Sequence, residues 1–254
     1  MLSAADLVLL AVAAVAGGGV NALAGGGTLI TFPALTAVGV PALSANVTNT
    51  VALAPGYLGG TLAQRADLAG QRDRAWSVAL PALLGGVAGA ALLLVTGEDL
   101  FRSLVPWLIL VAAVLIGADP LVKRWVRRRL AEGEEHRPHP AAAVLAALAG
   151  SVYGGYFGAG LGIILLALYS LVLPETLVRV NALKQLTSFL ANVAAAGFLV
   201  FSGRVEWTAA GVMAVGALAG GVLAGRFVRR VDPDLLRALV VVIGVTVAVV
   251  YFVR

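Results

Sequence analysis

The feature that most restricts the fold of this chain is a series of apolar runs, each about 18 residues or longer, that carry almost no charge. Only 12% of the residues are charged, about half the fraction in an ordinary soluble domain, and 60% are hydrophobic. A soluble protein with a single core is excluded, and the runs lack the polar–apolar alternation of membrane strands. The sequence therefore predicts an all-α, polytopic integral membrane protein.

Composition also restricts the chemistry that the chain can perform. The absence of cysteine excludes disulfides, thiolate metal sites and thiol nucleophiles. His136 and His139 stand in a charge-dense segment where solvation is their expected role, so no metal or cofactor is predicted. The net charge of +5 is interpreted as cytoplasmic loops rather than a nucleic-acid surface. The N-terminus is expected to be a membrane segment, since Asp6 stands where a signal peptide carries positive charge.

The chain reads as an internal duplication. A shift of about 133 positions places Gly25-Gly26-Gly27 on Gly158-Ala159-Gly160 and Val40-Pro41 on Leu173-Pro174. Each half has a Gly-interrupted apolar stretch followed by three uninterrupted ones. The interrupted stretches are 3–38 and 141–173, and the uninterrupted ones are 43–64, 75–96, 100–118, 179–201, 206–225 and 235–253. We predict a first transmembrane repeat over 1–120, a charged cytoplasmic linker over 121–140 and a second repeat over 141–254.

Arginine placement bears on how the halves are oriented. The loop after the first uninterrupted stretch carries Arg65, Arg72 and Arg74, whereas its counterpart carries only Arg204. The next loop reverses this asymmetry: Glu98, Asp99 and Arg102 correspond to Arg226, Arg229, Arg230 and Arg237. Such an exchange is what the positive-inside rule predicts for inverted repeats. Inversion needs an odd number of membrane crossings in each half. The three uninterrupted stretches supply an odd number if the interrupted stretch is a hairpin that enters and returns on one side. The alternative is eight ordinary spans, with a broken first helix and parallel halves.

Short Gly-interrupted segments at matching places in two halves indicate the binding site of a transporter. The glycines free backbone N–H groups at helix ends, where the helix dipole favours an anion. Polar side chains cluster beside both breaks, although uncharged polar residues also serve as contacts between membrane helices. The candidate substrate-binding residues are Asn21, Gly25, Gly26, Gly27, Thr28, Thr48, Asn49, Tyr156, Gly158, Gly160, Asn181, Lys184 and Gln185.

Lys184 is the most informative single residue. It lies inside an apolar stretch with no carboxylate nearby in sequence, and an ammonium at membrane depth is costly unless it meets water, a partner or a ligand. The alternative is that its long side chain reaches the membrane interface. Every Asp and Glu falls at or near a segment end, so no buried carboxylate relay for proton coupling is evident. These residues describe a site for a small oxyanion.

The motifs resemble a known family. The segment from Gly17 to Gly27, with Pro33 and then Ala45 to Thr50, is similar to the first repeat of the sulfite exporter TauE/SafE family. Gly150 to Gly162, Arg179 to Lys184 and Gly203 to Trp207 are similar to its second repeat. Asn46-Val47-Thr48-Asn49-Thr50 departs from the Thr-Ser pair that the family often carries. The resemblance implies a cytoplasmic-membrane permease for sulfur-containing anions, built from two related helical halves.

We therefore expect a multi-pass permease of the cell membrane that exports sulfite or an organosulfonate by alternating access, and not an enzyme. Its expected partners are the small anionic substrate and the lipid bilayer, without nucleic acid; a homo-oligomer stays open. Two alternatives remain. One is a transporter or channel for another small solute, and the other is a non-transporting membrane scaffold whose basic linker is a docking site.

Overall fold

The computed structural model describes residues 2–131, 140–173, 175–227 and 233–253, and all regular structure in these residues is helical. The helices are α1 (Ala4–Ala24), α2 (Thr28–Ala37), α3 (Ala42–Ala63), α4 (Arg72–Ala131), α5 (Pro140–Tyr156), α6 (Leu161–Val172), α7 (Leu177–Leu199), α8 (Trp207–Phe227) and α9 (Pro233–Val253). Gly97, with φ 73° and ψ 172°, divides α4 into two helices. We call them α4a (72–96) and α4b (98–131).

The helices suit a lipid environment. Within the described residues, three helical segments are long and apolar enough to cross a membrane: Ala4–Asn21, Arg72–Arg128, which comprises most of α4a and α4b, and Leu177–Ser202. Five shorter helices in these residues are also apolar. Large apolar side chains cover the outer surface; Val95 is 84% exposed and Phe201 88% exposed. An apolar exterior is expected where the solvent is hydrocarbon. The architecture is that of an all-helical polytopic membrane protein, as the sequence predicts.

Both interrupted stretches fold back on themselves. Helix α1 ends at Gly25, whose φ of 71° lies in the left-handed region that glycine tolerates. Helix α2 then returns along α1, so that a Cβ added to Gly17 would lie 2.6 Å from the Thr31 methyl group. Helices α5 and α6 repeat this arrangement, with Leu165 against Gly150. Each stretch is thus a helical hairpin with a glycine break at its tip.

Each hairpin packs against a helix of the other half. Helix α1 contacts α8, where a Cβ on Gly220 would overlap the Val15 carbonyl oxygen. Helix α5 contacts α4a, where a Cβ on Gly89 would overlap the Val152 carbonyl oxygen. Small residues at these positions let the backbones approach closely. Gly85 and Gly216 lie in the same two helix contacts, beside Ser151 and Ala14 respectively.

Helices α4b and α9 run antiparallel and cover the hairpin tips. Their contacts extend from Ala113 beside Gly244 to the edge-to-face pair of Trp107 and Phe252, whose ring centroids are 4.9 Å apart. Ile116 and Val240 lie against the break at Gly26. The expected linker over 121–140 is helical as far as Ala131, because α4b continues without interruption. Residues 132–139, which include both histidines, lie outside the described residues.

Candidate functional site

The two glycine breaks are in direct contact. The backbone N–H of Gly160 donates to the carbonyl oxygen of Gly25 at 3.3 Å. A Cβ added to Gly25 would lie 3.7 Å from the Cα of Gly162. Because α2 and α6 both begin here, the N-termini of two helices converge on one place. The N–H groups of Leu29, Ile30, Leu161 and Ile163 already donate to carbonyl oxygens of the breaks. The dipoles of the two helices give this place a positive potential.

Lys184 of α7 adds a full positive charge. Its Nζ lies 3.5 Å from the point that a Cβ on Gly162 would occupy, directly beside the second break. In the ranges that the structure describes, no carboxylate lies within ion-pair distance of this ammonium. Lys184 therefore reaches the break instead of a pairing carboxylate.

Helix α3 connects both hairpins. The side-chain amide of Asn49 donates to the Thr28 hydroxyl at 3.3 Å, at the first break. The amide of Asn46, one turn earlier, donates to the carbonyl oxygen of Tyr156 at 2.8 Å, at the second break. The carbonyl oxygens of both asparagine side chains are buried without a hydrogen-bond partner. One face of α3 thus holds the two hairpin tips and still offers free acceptors.

A tyrosine of α5 completes this polar zone. Tyr153 of α5 donates to the carbonyl oxygen of Ala159, inside the second break. The candidate residues omit Tyr153, although it stands five residues before the glycine break at Gly158.

Buried polar atoms without partners extend along α7. Ser188 and Asn192 follow Lys184 at intervals of four residues, so all three share one helical face. The Ser188 hydroxyl and the Asn192 carbonyl oxygen are buried and unpartnered, as is the Ser151 hydroxyl of α5. Buried polar groups are almost always satisfied by protein, water or a ligand. These groups are therefore able to bind water or another polar molecule.

Three of the candidate residues face elsewhere. Thr48 accepts a hydrogen bond from the Glu206 N–H at 3.0 Å, at the start of α8. Asn181 donates to the Gln64 side chain at 2.6 Å, at the end of α3. Gln185 is buried beside Gly60, where an added Cβ would lie 2.5 Å from its side-chain nitrogen. These side chains join helices, and the structure does not bring Thr48 or Asn181 to the breaks.

Asp119, which directly follows the predicted stretch 100–118, is buried in the protein. It is only 3% exposed, because α4b continues past the predicted end of the span. Its carboxylate accepts from Lys123 at 2.8 Å and from Arg237 of α9 at 3.0 Å. Within the described ranges no group of three or more His, Asp or Glu side chains is placed to hold a metal ion.

Comparison with known proteins fits this arrangement. The family model described as "Sulfite exporter TauE/SafE" matches residues 9–251, nearly the whole chain. The chain belongs to the TauE/SafE family. Its glycine-broken hairpins and Lys184 lie within the matched residues.

Curated relatives carry names that agree with the family. A "Probable membrane transporter protein" of Haemophilus influenzae is 27% identical over 235 residues, covering 91% of this chain and 85% of the relative. The "Probable membrane transporter protein ORF9" of Sinorhizobium sp is 26% identical, with coverages of 96% and 91%. The "Probable membrane transporter protein YfcA" of Escherichia coli K12 is 25% identical, with coverages of 91% and 80%. No solved structure matches this TauE/SafE chain.

Proposed function

We propose that this protein is a permease that exports a small sulfur-containing anion, sulfite or an organosulfonate, across the cytoplasmic membrane, and that it transports without catalysing a reaction. The observation that carries the proposal is the contact between the two glycine breaks beside Lys184. Membership of a family whose curated relatives are named probable transporters supports transport as the activity.

The charge at the breaks supports an anion as the solute. Each helix N-terminus carries a partial positive charge of roughly half a unit, and the N-termini of α2 and α6 meet here. The Lys184 ammonium adds one unit, and no carboxylate in the described part of the chain pairs with it. A sulfur oxyanion would accept hydrogen bonds from these N–H groups and from Lys184.

Export needs no coupling ion. An inside-negative potential favours the exit of an anion by about 2.3 kcal/mol per charge per 100 mV. A uniporter that alternately exposes the breaks to the two sides would therefore move the anion outward. The absence of a proton relay among the candidate residues agrees with this simple mechanism.

Inverted halves would provide the alternating access. The contacts orient α1, α3 and α8 in one direction, since Thr48 meets the start of α8 and Val15 lies against Gly220. They orient α4a, α5 and α7 parallel to one another, since Arg74 pairs with Glu175 and Val152 lies against Gly89. This second group runs opposite to α3, since Asn181 near the start of α7 binds Gln64 at the end of α3 and Gln185 lies against Gly60. Corresponding helices of the halves would then run antiparallel, which supports the proposed inversion.

Charge placement supports the orientation in the membrane. With these helix directions, the face at the end of α3 also holds the end of α4b and the starts of α7 and α9. The basic residues of this face include Arg65, Arg72, Arg74, Lys123, Arg124, Arg179 and Arg237. Arg102 and Arg204 lie on the opposite face. By the positive-inside rule the first face is cytoplasmic.

Single cysteines test the inversion, since the chain has none of its own. Ala66 and Arg204 are both exposed and follow corresponding helices, α3 and α7. We expect R204C to react with a membrane-impermeant maleimide in intact cells, and A66C to react only in inverted vesicles. Labelling of both from the same side would show that the halves are parallel.

A ligand screen tests the substrate. Binding at a concentration of a hundred times the Kd stabilises a protein by about 2.7 kcal/mol. We expect sulfite or a sulfonate, but not chloride at equal ionic strength, to raise the melting temperature of the purified protein. If neither sulfite nor a sulfonate changes the melting temperature, the proposed substrate is wrong and another small solute is favoured.

A further inference from the structure

A buried ion group lies near the breaks but is not part of the proposed binding site. The Asp119 side chain is 4% exposed and binds Lys123 on its own helix and Arg237 on α9. Arg237 is itself largely buried, at 13% exposure, whereas Lys123 is partly exposed at 36%. One carboxylate thus joins a cation of its own helix to a cation of α9 in a poorly solvated place.

The position of this ion group relates it to the breaks. Ile116 and Val240, which lie against the break at Gly26, stand one helical turn from Asp119 and Arg237 respectively. The ion pair between α4b and α9 therefore lies one turn from the hairpin tips, at the end of these helices that carries the basic residues. A solute entering from that end would meet the ion group close to the breaks.

Lys184 belongs to the same electrostatic neighbourhood. Its ammonium lies beside Gly162, whose Cα would be 3.7 Å from a Cβ on Gly25, and the next residue, Gly26, lies against Ile116 of α4b and Val240 of α9. Lys184, Lys123 and Arg237 are thus three cations near the breaks, and Asp119 binds two of them. In a medium of low dielectric constant such charges influence each other over several ångströms. The strength with which the cations attract a solute anion then depends on Asp119.

We propose that Asp119 is a built-in counter-anion that competes with the transported anion for the cations beside the breaks. It weakens the binding of the solute enough for the solute to be released, and it holds α4b to α9 while the site is empty. The inference rests on the proposed function and deepens it. Asp119 is a positioning residue, since it acts on the solute through Lys123, Arg237 and Lys184.

The test compares the sulfite concentration that gives half of the maximal rise in melting temperature. Because D119N removes the competing charge, we expect this concentration to fall by about three- to tenfold, a change typical of one nearby charge. We also expect maximal sulfite efflux from proteoliposomes to decrease, since the anion is held longer. R237Q removes a cation and is expected to raise the half-saturating concentration by a similar factor.

E175Q is the matched control. Glu175 is a carboxylate on the same face of the protein, paired with Arg74 and Arg179 rather than with the cations near the breaks. Its replacement changes the net charge as D119N does, and we expect the half-saturating concentration to stay within about twofold of the wild type. Opposite effects of D119N and R237Q exclude general destabilisation as the cause.

The outcomes separate the two proposals. If the wild-type protein responds to sulfite and D119N leaves the half-saturating concentration unchanged or raises it, the role of Asp119 is wrong while the proposed function stands. If D119N does not fold, an unchanged or lowered value for R237Q overturns the inference in the same way. If sulfite has no effect on the wild type, the substrate assignment and this inference both fail.

Discussion

Replacing Lys184 with methionine is expected to abolish the rise in melting temperature that sulfite causes and to reduce sulfite efflux by about a hundredfold. A charge-assisted hydrogen bond to a poorly solvated anion contributes about 2 to 3 kcal/mol to the binding free energy. Loss of the long-range attraction between the ammonium and the anion adds to this. Methionine retains the length and apolar stem of lysine and removes a charge that is costly at membrane depth. The variant should therefore fold and keep its unliganded melting temperature.

K184R is the matched control for this prediction. It keeps the positive charge beside Gly162 but has a wider, planar head group, so we expect a weakened response to sulfite rather than none. Thermal shift and proteoliposome efflux, measured on the same preparations, check both variants. An undiminished thermal shift and efflux in K184M would show that Lys184 does not bind the anion.

The second large effect is expected from a single methyl group. Gly89→Ala places a Cβ where the carbonyl oxygen of Val152 lies, so α4a and α5 must separate. Overpacking of rigid backbone costs about 3 kcal/mol, and loss of the close approach also removes contacts between membrane helices. We expect a marked decrease in melting temperature and in the yield of monodisperse protein.

Gly211→Ala provides the control for that substitution. Gly211 lies in α8 with nothing within 4 Å of an added Cβ. Alanine there gains up to about 1 kcal/mol of helix propensity, so the melting temperature should be unchanged or slightly higher. Equal stabilities of the two variants in the same detergent would show that α4a and α5 are not closely packed.

Much of the helix pattern could be predicted from the sequence. Continuous apolar runs indicate directly which residues form membrane helices, and the predicted stretch 43–64 coincides with α3 to within one residue. The boundary expected between 75–96 and 100–118 falls at Gly97, where α4 bends. The positions of both glycine breaks could also be predicted, because glycine runs inside apolar stretches interrupt helices whatever their neighbours are.

The sequence does not predict in the same way which side chains face lipid, which face other helices and which face the breaks. Helices that are apolar all round give no periodic signal that distinguishes lipid from protein. Thr48 and Asn49 are adjacent, yet Asn49 binds Thr28 at the break while Thr48 binds Glu206 on α8. The burial of Asp119 likewise depends on Arg237, which stands far along the chain. These contacts are fixed by tertiary packing.

The register between the halves also depends on tertiary structure. The sequence match aligns Ala16-Gly17 with Ala149-Gly150, which places Val15 on Leu148. The close contacts instead give Val15 and Val152 the same role, against Gly220 and Gly89. Helix α1 therefore has one more turn than α5 between this contact and the glycine break. A match between sequences rich in alanine and glycine does not resolve a shift of one turn.

The packing of α1 on α8 has a consequence for biosynthesis. The ribosome delivers α1 to the membrane first, but α8 emerges only after most of the chain has been made. Until then α1 lies in lipid without its main partner, and the α3 face that receives α8 is also incomplete. The first half therefore cannot finish assembly alone. Two halves expressed as separate polypeptides should accumulate only when both are present in one cell.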